Sequence, residues 1–240
     1  MPLNMRWAFP LDFVAEMPAL SEIEISGGEI TESTAHTSSE YEQVLLRLVR
    51  LRLIMRGPIP NQILLRRAAI SSIRQIFTTD LRYETIQSLI TSLAGDVDLE
   101  IRVHRSPDEP EPGPRLTLCY SDLNPLPTHR CSRTFEIPLN LVDTLYATPH
   151  PEGALWTGLE IPDVRNRIRS VSVGAIVWLK LASRITALPA CRHIALYIDP
   201  EVSLQQLRAT FPTFPALGTL EIHSGGSDVL RFAATELKMF

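Results

Sequence analysis

The sequence predicts an α/β solenoid: a curved, mostly parallel sheet with helices on its convex side, spanning residues 1–240 as a single domain. Three observations point there. One strand-entry motif recurs along the chain, two of its copies lie 26 residues apart, and segments of strand periodicity alternate with segments of helical periodicity.

The motif is clearest near the C-terminus. Leu188-Pro-Ala-Cys-Arg-His-Ile-Ala-Leu196 is followed by Phe214-Pro-Ala-Leu-Gly-Thr-Leu-Glu-Ile222, and Met17-Pro-Ala-Leu-Ser-Glu-Ile-Glu-Ile25 repeats it at the other end. Each copy ends in apolar-polar-apolar alternation, the period-2 mark of a strand with one buried face. The proline stops whatever element precedes it and starts an extended segment. Two of the copies run on into Gly-Gly turns, at Gly27-Gly28 and Gly225-Gly226.

Between these copies the same alternation predicts strands at Val49–Leu53, Leu99–Val103, Arg115–Leu118, Phe135–Ile137 and Val171–Val173, with a weaker one at Ile73–Phe77. Helices are expected at Gln62–Ala69, at Asn140–Ala147 and between Ser203 and Pro212. The strongest is Arg82–Ala94, where Ile86, Leu89, Ile90 and Leu93 share one face ahead of Gly95. After Ile222 the cycle is expected to restart, with Ser227 or Asp228 capping a helix that buries Val229, Leu230, Phe232 and Ala233. Two Pro-containing segments interrupt the pattern. Ser106–Pro114 must be an exposed loop, flanked by an antiparallel hairpin or by helix-less repeats, and Asn124–Cys131 is the other.

Composition narrows the class. An apolar share of 45% and a charged share of 21% describe a folded chain with a sizeable core. The net charge of -4 gives no overall pull toward nucleic acid or anionic membrane. No apolar run approaches the roughly 20 residues that span a bilayer, and residues 1–20 carry Asp12 and Glu16 where a signal peptide would be apolar. Three cysteines (Cys119, Cys131, Cys191), an odd number without paired spacing, and no glycosylation sequon lead to the expectation of a cytoplasmic or nuclear chain.

Catalytic and metal chemistry find little purchase. His223-Ser-Gly-Gly-Ser-Asp228 holds the letters of a hydrolase triad, but lacks the Gly-x-Ser-x-Gly spacing of a nucleophile elbow, and neighbouring residues cannot fold back into a relay. A turn with a helix cap explains it better. Cys119, His129 and Cys131 lack the paired spacing of a zinc site. No phosphate-binding, dinucleotide or His-Glu-x-x-His motif is present, so no cofactor, no metal and no catalytic residue is expected.

The combination of Leu48-Val-Arg-Leu-Arg-Leu53, Gly57-Pro58, Ile63-Leu-Leu65 and Thr79-Thr-Asp-Leu-Arg-Tyr83 with the Pro-Ala strand entries resembles the leucine-rich-repeat region of fungal F-box/leucine-rich-repeat proteins, over roughly residues 15–240. The resemblance implies a leucine-rich-repeat-like solenoid that binds a protein partner, the substrate-recognition part of an F-box-type ubiquitin ligase adaptor. It departs from that family at one end. No Leu-Pro-x-Glu helical segment precedes Met17, so the F-box is missing and a Skp-type linker is not expected as a partner. An enzyme on a doubly wound α/β sheet and a partial gene product without a selected activity are the alternatives.

On a strand with one buried face, the residues between the apolar ones point outward. Glu22, Glu24, Arg50, Arg52, Glu100, Arg102, Tyr197, Glu221 and His223 are accordingly the candidate binding residues, with Thr117, Glu136, Ser172 and Ala195 on the same face. Between Arg47 and Arg82 eight arginines face the single acid Asp80, reading either as a basic patch for acidic or phosphorylated segments or as dispersed solvated faces. The stretch is read as free of the interleaved aromatics that single-stranded nucleic acid recognition uses.

Overall fold

The structure is a computed structural model. It describes residues 8–10, 12–26, 29–31, 38–54, 68–79, 82–105, 114–124, 126, 129–138, 158–182, 188–198, 207, 214–223 and 229–233. Two short strands, β1 (Ala8–Pro10) and β3 (Glu29–Thr31), pair in parallel with each other. The remaining ten form one open sheet. They are β2 (Glu22–Ser26), β4 (Arg50–Ile54), β5 (Gln75–Thr78), β6 (Val97–Arg105), β7 (Pro114–Asp122), β8 (Ser132–Pro138), β9 (Ile168–Gly174), β10 (His193–Tyr197), β11 (Thr219–His223) and β12 (Val229–Ala233). The helices are α1 (Asp12–Ala15), α2 (Ser38–Leu45), α3 (Tyr83–Thr91), α4 (Pro162–Arg165) and α5 (Ala175–Ala182), with a 3-10 turn at Ala68–Ser72.

Across the sheet the strands run β12-β11-β10-β9-β6-β7-β8-β5-β4-β2. Only β7 and β12 oppose the other eight, so the sheet is mostly parallel. At both ends the strands are neighbours in chain order. In the middle, β6, β7 and β8 form an antiparallel meander inserted in reverse, which puts β8 against β5 and β6 against β9.

The recurring motif acquires a geometry. In all three copies the fourth residue donates its N–H to the carbonyl of the first: Leu20 to Met17 (3.1 Å), Cys191 to Leu188 (3.1 Å) and Leu217 to Phe214 (3.2 Å). Each is a β-turn whose second position is proline, where the fixed φ of the ring already matches. The strand begins five residues after the opening residue in every case, at Glu22, His193 and Thr219.

The same turn recurs twice without proline, from Leu48 to Leu45 (3.1 Å) and from Ile73 to Ile70 (3.3 Å), again five residues ahead of strands beginning at Arg50 and Gln75. Five units therefore share one apolar pattern. Leu45, Leu48, Leu51 and Leu53 are all buried, as are Ile70, Ile73 and Ile76 and the set Leu188, Cys191, Ile194 and Leu196. Neighbouring units stack through the turn as well as the strand. The Ser21 carbonyl accepts from Val49 (2.7 Å) and Arg50 (3.2 Å), the Val49 carbonyl from Gln75 (3.0 Å), and the Arg192 carbonyl from Gly218 (2.9 Å) and Thr219 (3.0 Å). Turn carbonyls that would otherwise be orphaned thus extend the ladder by one step.

One apolar cluster lies on the helix side of the sheet. Leu45 of α2, Ile86, Leu89 and Ile90 of α3, Val164 of α4 and Trp178 of α5 join Leu51, Leu53, Leu99, Ile101, Leu116, Leu118, Phe135, Val171, Val173 and Leu220 in it. Gly158 lets this layer close. A Cβ there would lie 2.6 Å from Ile90 Cδ1 and 2.6 Å from the hydroxyl of the fully buried Tyr120.

Buried arginine fastens the inserted meander to the repeats. Arg133 on β8 is wholly enclosed and donates to the carbonyls of Ile73 (2.8 Å), Ser132 (3.0 Å), Ser71 (3.2 Å) and Arg74 (3.3 Å) and to Ser92 Oγ (3.2 Å). Burial pushes this guanidinium down to about 10, still well protonated near neutrality. Arg167 plays a comparable part beyond α3, donating to the carbonyls of Leu93 and Gly95. Gly95 itself turns the chain at φ +67°, a conformation open to glycine without cost.

Every strand expected between Val49 and Val173 is present, several of them longer than the alternation alone delimited. Of the two arrangements expected around the Pro-rich loop, helix-less repeats or an antiparallel hairpin, the strands form the hairpin: β6–β7, in register from Val97↔Asp122 to Arg105↔Pro114. One element differs in kind. Val229–Ala233, expected as a helix, is β12, paired antiparallel to β11 from Thr219↔Ala233 to His223↔Val229. Val-Leu-Arg-Phe-Ala satisfies either period over five residues, and its β-branched and aromatic members favour a strand where an open parallel edge offers unpaired backbone. Of the helix expected at Gln62–Ala69, residues 62–67 lie outside the described residues and Ala68 and Ala69 open the 3-10 turn; the helix expected at Asn140–Ala147, most of Ser203–Pro212, the loop at 106–113 and the Gly-Gly turns also lie outside the described residues.

Candidate protein-binding face

Strand alternation sends one set of side chains into the cluster beneath the helices and the other to the opposite face. All nine candidate binding residues fall on that second face: Glu22 and Glu24 on β2, Arg50 and Arg52 on β4, Glu100 and Arg102 on β6, Tyr197 on β10, and Glu221 and His223 on β11. The buried residues of α2, α3, α4 and α5 join the apolar cluster on the other side of the sheet, and most described side chains of this face are partly or fully exposed. Two members are covered. Ala195 is small enough to sit below its neighbours, and Glu136 is enclosed by Arg115 (2.8 Å) and His104 (3.3 Å).

Toward the β2 end the register sets glutamate beside arginine twice. Arg50 reaches Glu22 at 3.0 Å and also donates to Gln75 at 2.9 Å, while Arg52 reaches Glu24 at 3.3 Å. The pairs are half exposed, so each is worth only about 0.2–1 kcal/mol and a partner's charges can displace them. The arginine-rich stretch is not free of aromatics. Phe77 lies on β5 with the Arg52 guanidinium 4.7 Å over its ring. Glu22, Glu24, Arg50, Arg52, Gln75, Phe77, Ser132 and Thr134 line a depression of about 640 Å³. Gln75, Phe77, Ser132 and Thr134 are the residues that sequence reasoning missed here; following the alternation along the strand at Ile73–Phe77 would have found Gln75 and Phe77, but the β5–β8 pairing that supplies Ser132 and Thr134 has no local signal.

The opposite end presents a different chemistry. Tyr197 stacks on His223 with ring centroids 4.7 Å apart, and Glu221 lies between His223 (3.4 Å) and His193 (3.6 Å). His193 Nδ1 is 3.2 Å from Ser170 Oγ. Serine, histidine and glutamate thus fall in line across β9, β10 and β11. The His193–Glu221 separation of 3.6 Å is an ion-pair distance longer than a hydrogen bond, and the strand amides beside the group belong to the parallel ladders on either side. Beside this group, Asp98 has its Oδ1 buried without a hydrogen-bond partner. Burial pushes its carboxyl above the ordinary range, opposed by Arg130, His193 and a hydrogen bond from Ser170.

The sequence-level arginine cluster is not one surface. Arg47 donates to the Pro18 carbonyl at a turn, Arg50 and Arg52 lie on the open face, and Arg56, Arg66 and Arg67 are outside the described residues. Cys119 sits on β7 near Ser121 and Thr134, whereas Cys131 closes a loop whose backbone is held by Asp122, so these thiols belong to separate environments. Among the described residues, no group of three histidine, cysteine or acidic side chains is arranged to hold a metal ion. No described helix is long and apolar enough to cross a membrane.

No protein-family model, curated protein or solved structure matches this chain.

Proposed function

We propose that this chain is a leucine-rich-repeat-like solenoid that binds a protein partner through the open face of its sheet, in the cytoplasm or nucleus. The observation that carries the reading is the one-sided sheet. Helices cover one face, while the other offers an ion-paired, Phe77-floored depression at one end and an aromatic-histidine group at the other. Exposed aromatics beside exchangeable charge pairs are the composition of protein-recognition surfaces. The five stacked units and their shared turn support the solenoid. A doubly wound sheet, by comparison, would bury its strands on both sides. Within this reading, the resemblance to fungal F-box repeats makes recognition of a ubiquitination substrate the favoured role.

The test is site-specific photo-crosslinking in cells. A benzophenone amino acid at Phe77 or Tyr197 is expected to capture the same partner, and one at Ser88 on exposed α3 is expected not to. Capture that is equal from Ser88, or none from either face position, would overturn the reading.

A further inference from the structure

We propose that the outer edge of β2 accepts an added strand from a partner segment in which basic and apolar residues alternate. Among the described residues β2 pairs only with β4, so one flank of its backbone is unpaired at the end of the sheet. The apolar positions of the stack are also more exposed there. Residues that open the other units are buried, with Leu45 at 3%, Ile70 at 3%, Leu188 at 0% and Phe214 at 5% exposure, whereas Met17 is 37% exposed. Leu20 and Ile23 are likewise only partly buried, although Leu48, Ile73, Leu51 and Ile76 at the same steps are enclosed. The first unit therefore has the apolar inner edge of an interior repeat and, among the described residues, no further repeat over it.

Charge selects the occupant. Glu22-Ile-Glu-Ile25 already has one complementary strand, Arg50-Leu-Arg-Leu53, with each glutamate beside an arginine. The glutamate side chains remain 57% and 51% exposed, which leaves room for a second cation on the outer flank. A strand repeating the pattern of β4 would set arginine or lysine beside Glu22 and Glu24 and an apolar residue against Ile23, while its backbone takes up the free edge. A second copy of the chain fits worse, since two β2 edges would bring glutamate against glutamate. This goes beyond binding through the open face, because a chain inactive on its face still offers this edge.

The experiment uses a fluorescein-labelled peptide alternating arginine and valine. It is measured by anisotropy against a block-ordered peptide of the same composition and against one N-methylated on alternate residues. Only the alternating, unmethylated peptide is expected to bind, with affinity falling about tenfold in the E22R/E24R double variant. If that variant does not fold by circular dichroism, E22Q/E24Q serves, with a smaller loss in the same direction. Equal binding by the N-methylated or block peptide would overturn strand addition, as would undiminished binding by the glutamate variants or no binding at millimolar peptide. Sedimentation velocity showing a dimer that the glutamate variants abolish would instead assign the edge to a second copy and sink the proposal.

Discussion

Replacing Arg133 with methionine tests how the inserted meander is held. The side chain is fully enclosed and is held by four backbone carbonyls and the Ser92 hydroxyl, with no carboxylate bonded to it; Asp122 offsets its charge only through space. Methionine keeps an apolar stem but removes every donor. The Ile73 carbonyl, at 2.8 Å the closest acceptor and itself buried, bears the largest loss, because a buried acceptor stripped of its donor costs about 1–3 kcal/mol. The Arg74 carbonyl keeps the Ser132 N–H at 2.6 Å, and Ser92 Oγ keeps the Leu89 carbonyl at 2.6 Å, so those two lose little. Ser71 and the void beyond the shorter side chain add a further contribution, partly offset by relief from burying a guanidinium. A net destabilisation of about 2–4 kcal/mol follows, or about 5–15 °C in Tm for a chain of this size. Urea denaturation followed by circular dichroism reads it as a lower midpoint at unchanged slope. An unchanged or higher midpoint would refute the reasoning, because desolvation of the charge would then outweigh the bonds it makes.

Two further outcomes are expected. Gly158→Ala brings a Cβ to 2.6 Å from both Ile90 Cδ1 and the Tyr120 hydroxyl, and should cost about 1–3 kcal/mol by the same urea assay; a change below about 0.5 kcal/mol would mean the layer yields freely. Asp98 has a folded-state pKa raised above 3.8, so the stability it contributes is present below that value and is lost as pH rises through the folded pKa. Asp98→Asn should therefore raise the urea midpoint at pH 7, with the advantage fading by about pH 3.5; an advantage constant across that range would exclude carboxylate ionisation as its source.

The repeat was legible because proline marks its turn. Pro18, Pro189 and Pro215 stand at the same turn position, and the strands after them begin where the alternation says. Leu45 and Ile70 open the same unit without proline, so a reading keyed to Pro-Ala found their strands and passed over their kinship. The nine binding candidates reached the open face for the same local reason, since alternation alone decides which side a residue takes. What local pattern could not supply is lateral order. Nothing in Val97–Arg105 says that it skips two places to pair with β9, and Phe77 meets Thr134 only because β8 returns to β5. The fate of Val229–Ala233 was equally a matter of surroundings, set by the unpaired edge of β11.

The reversed order of the central meander constrains how the molecule assembles. β5 and β6 are consecutive strands in the chain, yet two lateral places separate them, and those places fill only when the later β7 and β8 arrive. The units ending in β5 and those beginning with β9 can each zip along short sequence separations, the inexpensive kind of contact for a searching chain. Joining them waits on β8, which must close a long excursion before it meets β5 and seats Arg133. The expected kinetic signature is two early ladders and one late seam, with Arg133→Met slowing the union while leaving the formation of each half unchanged.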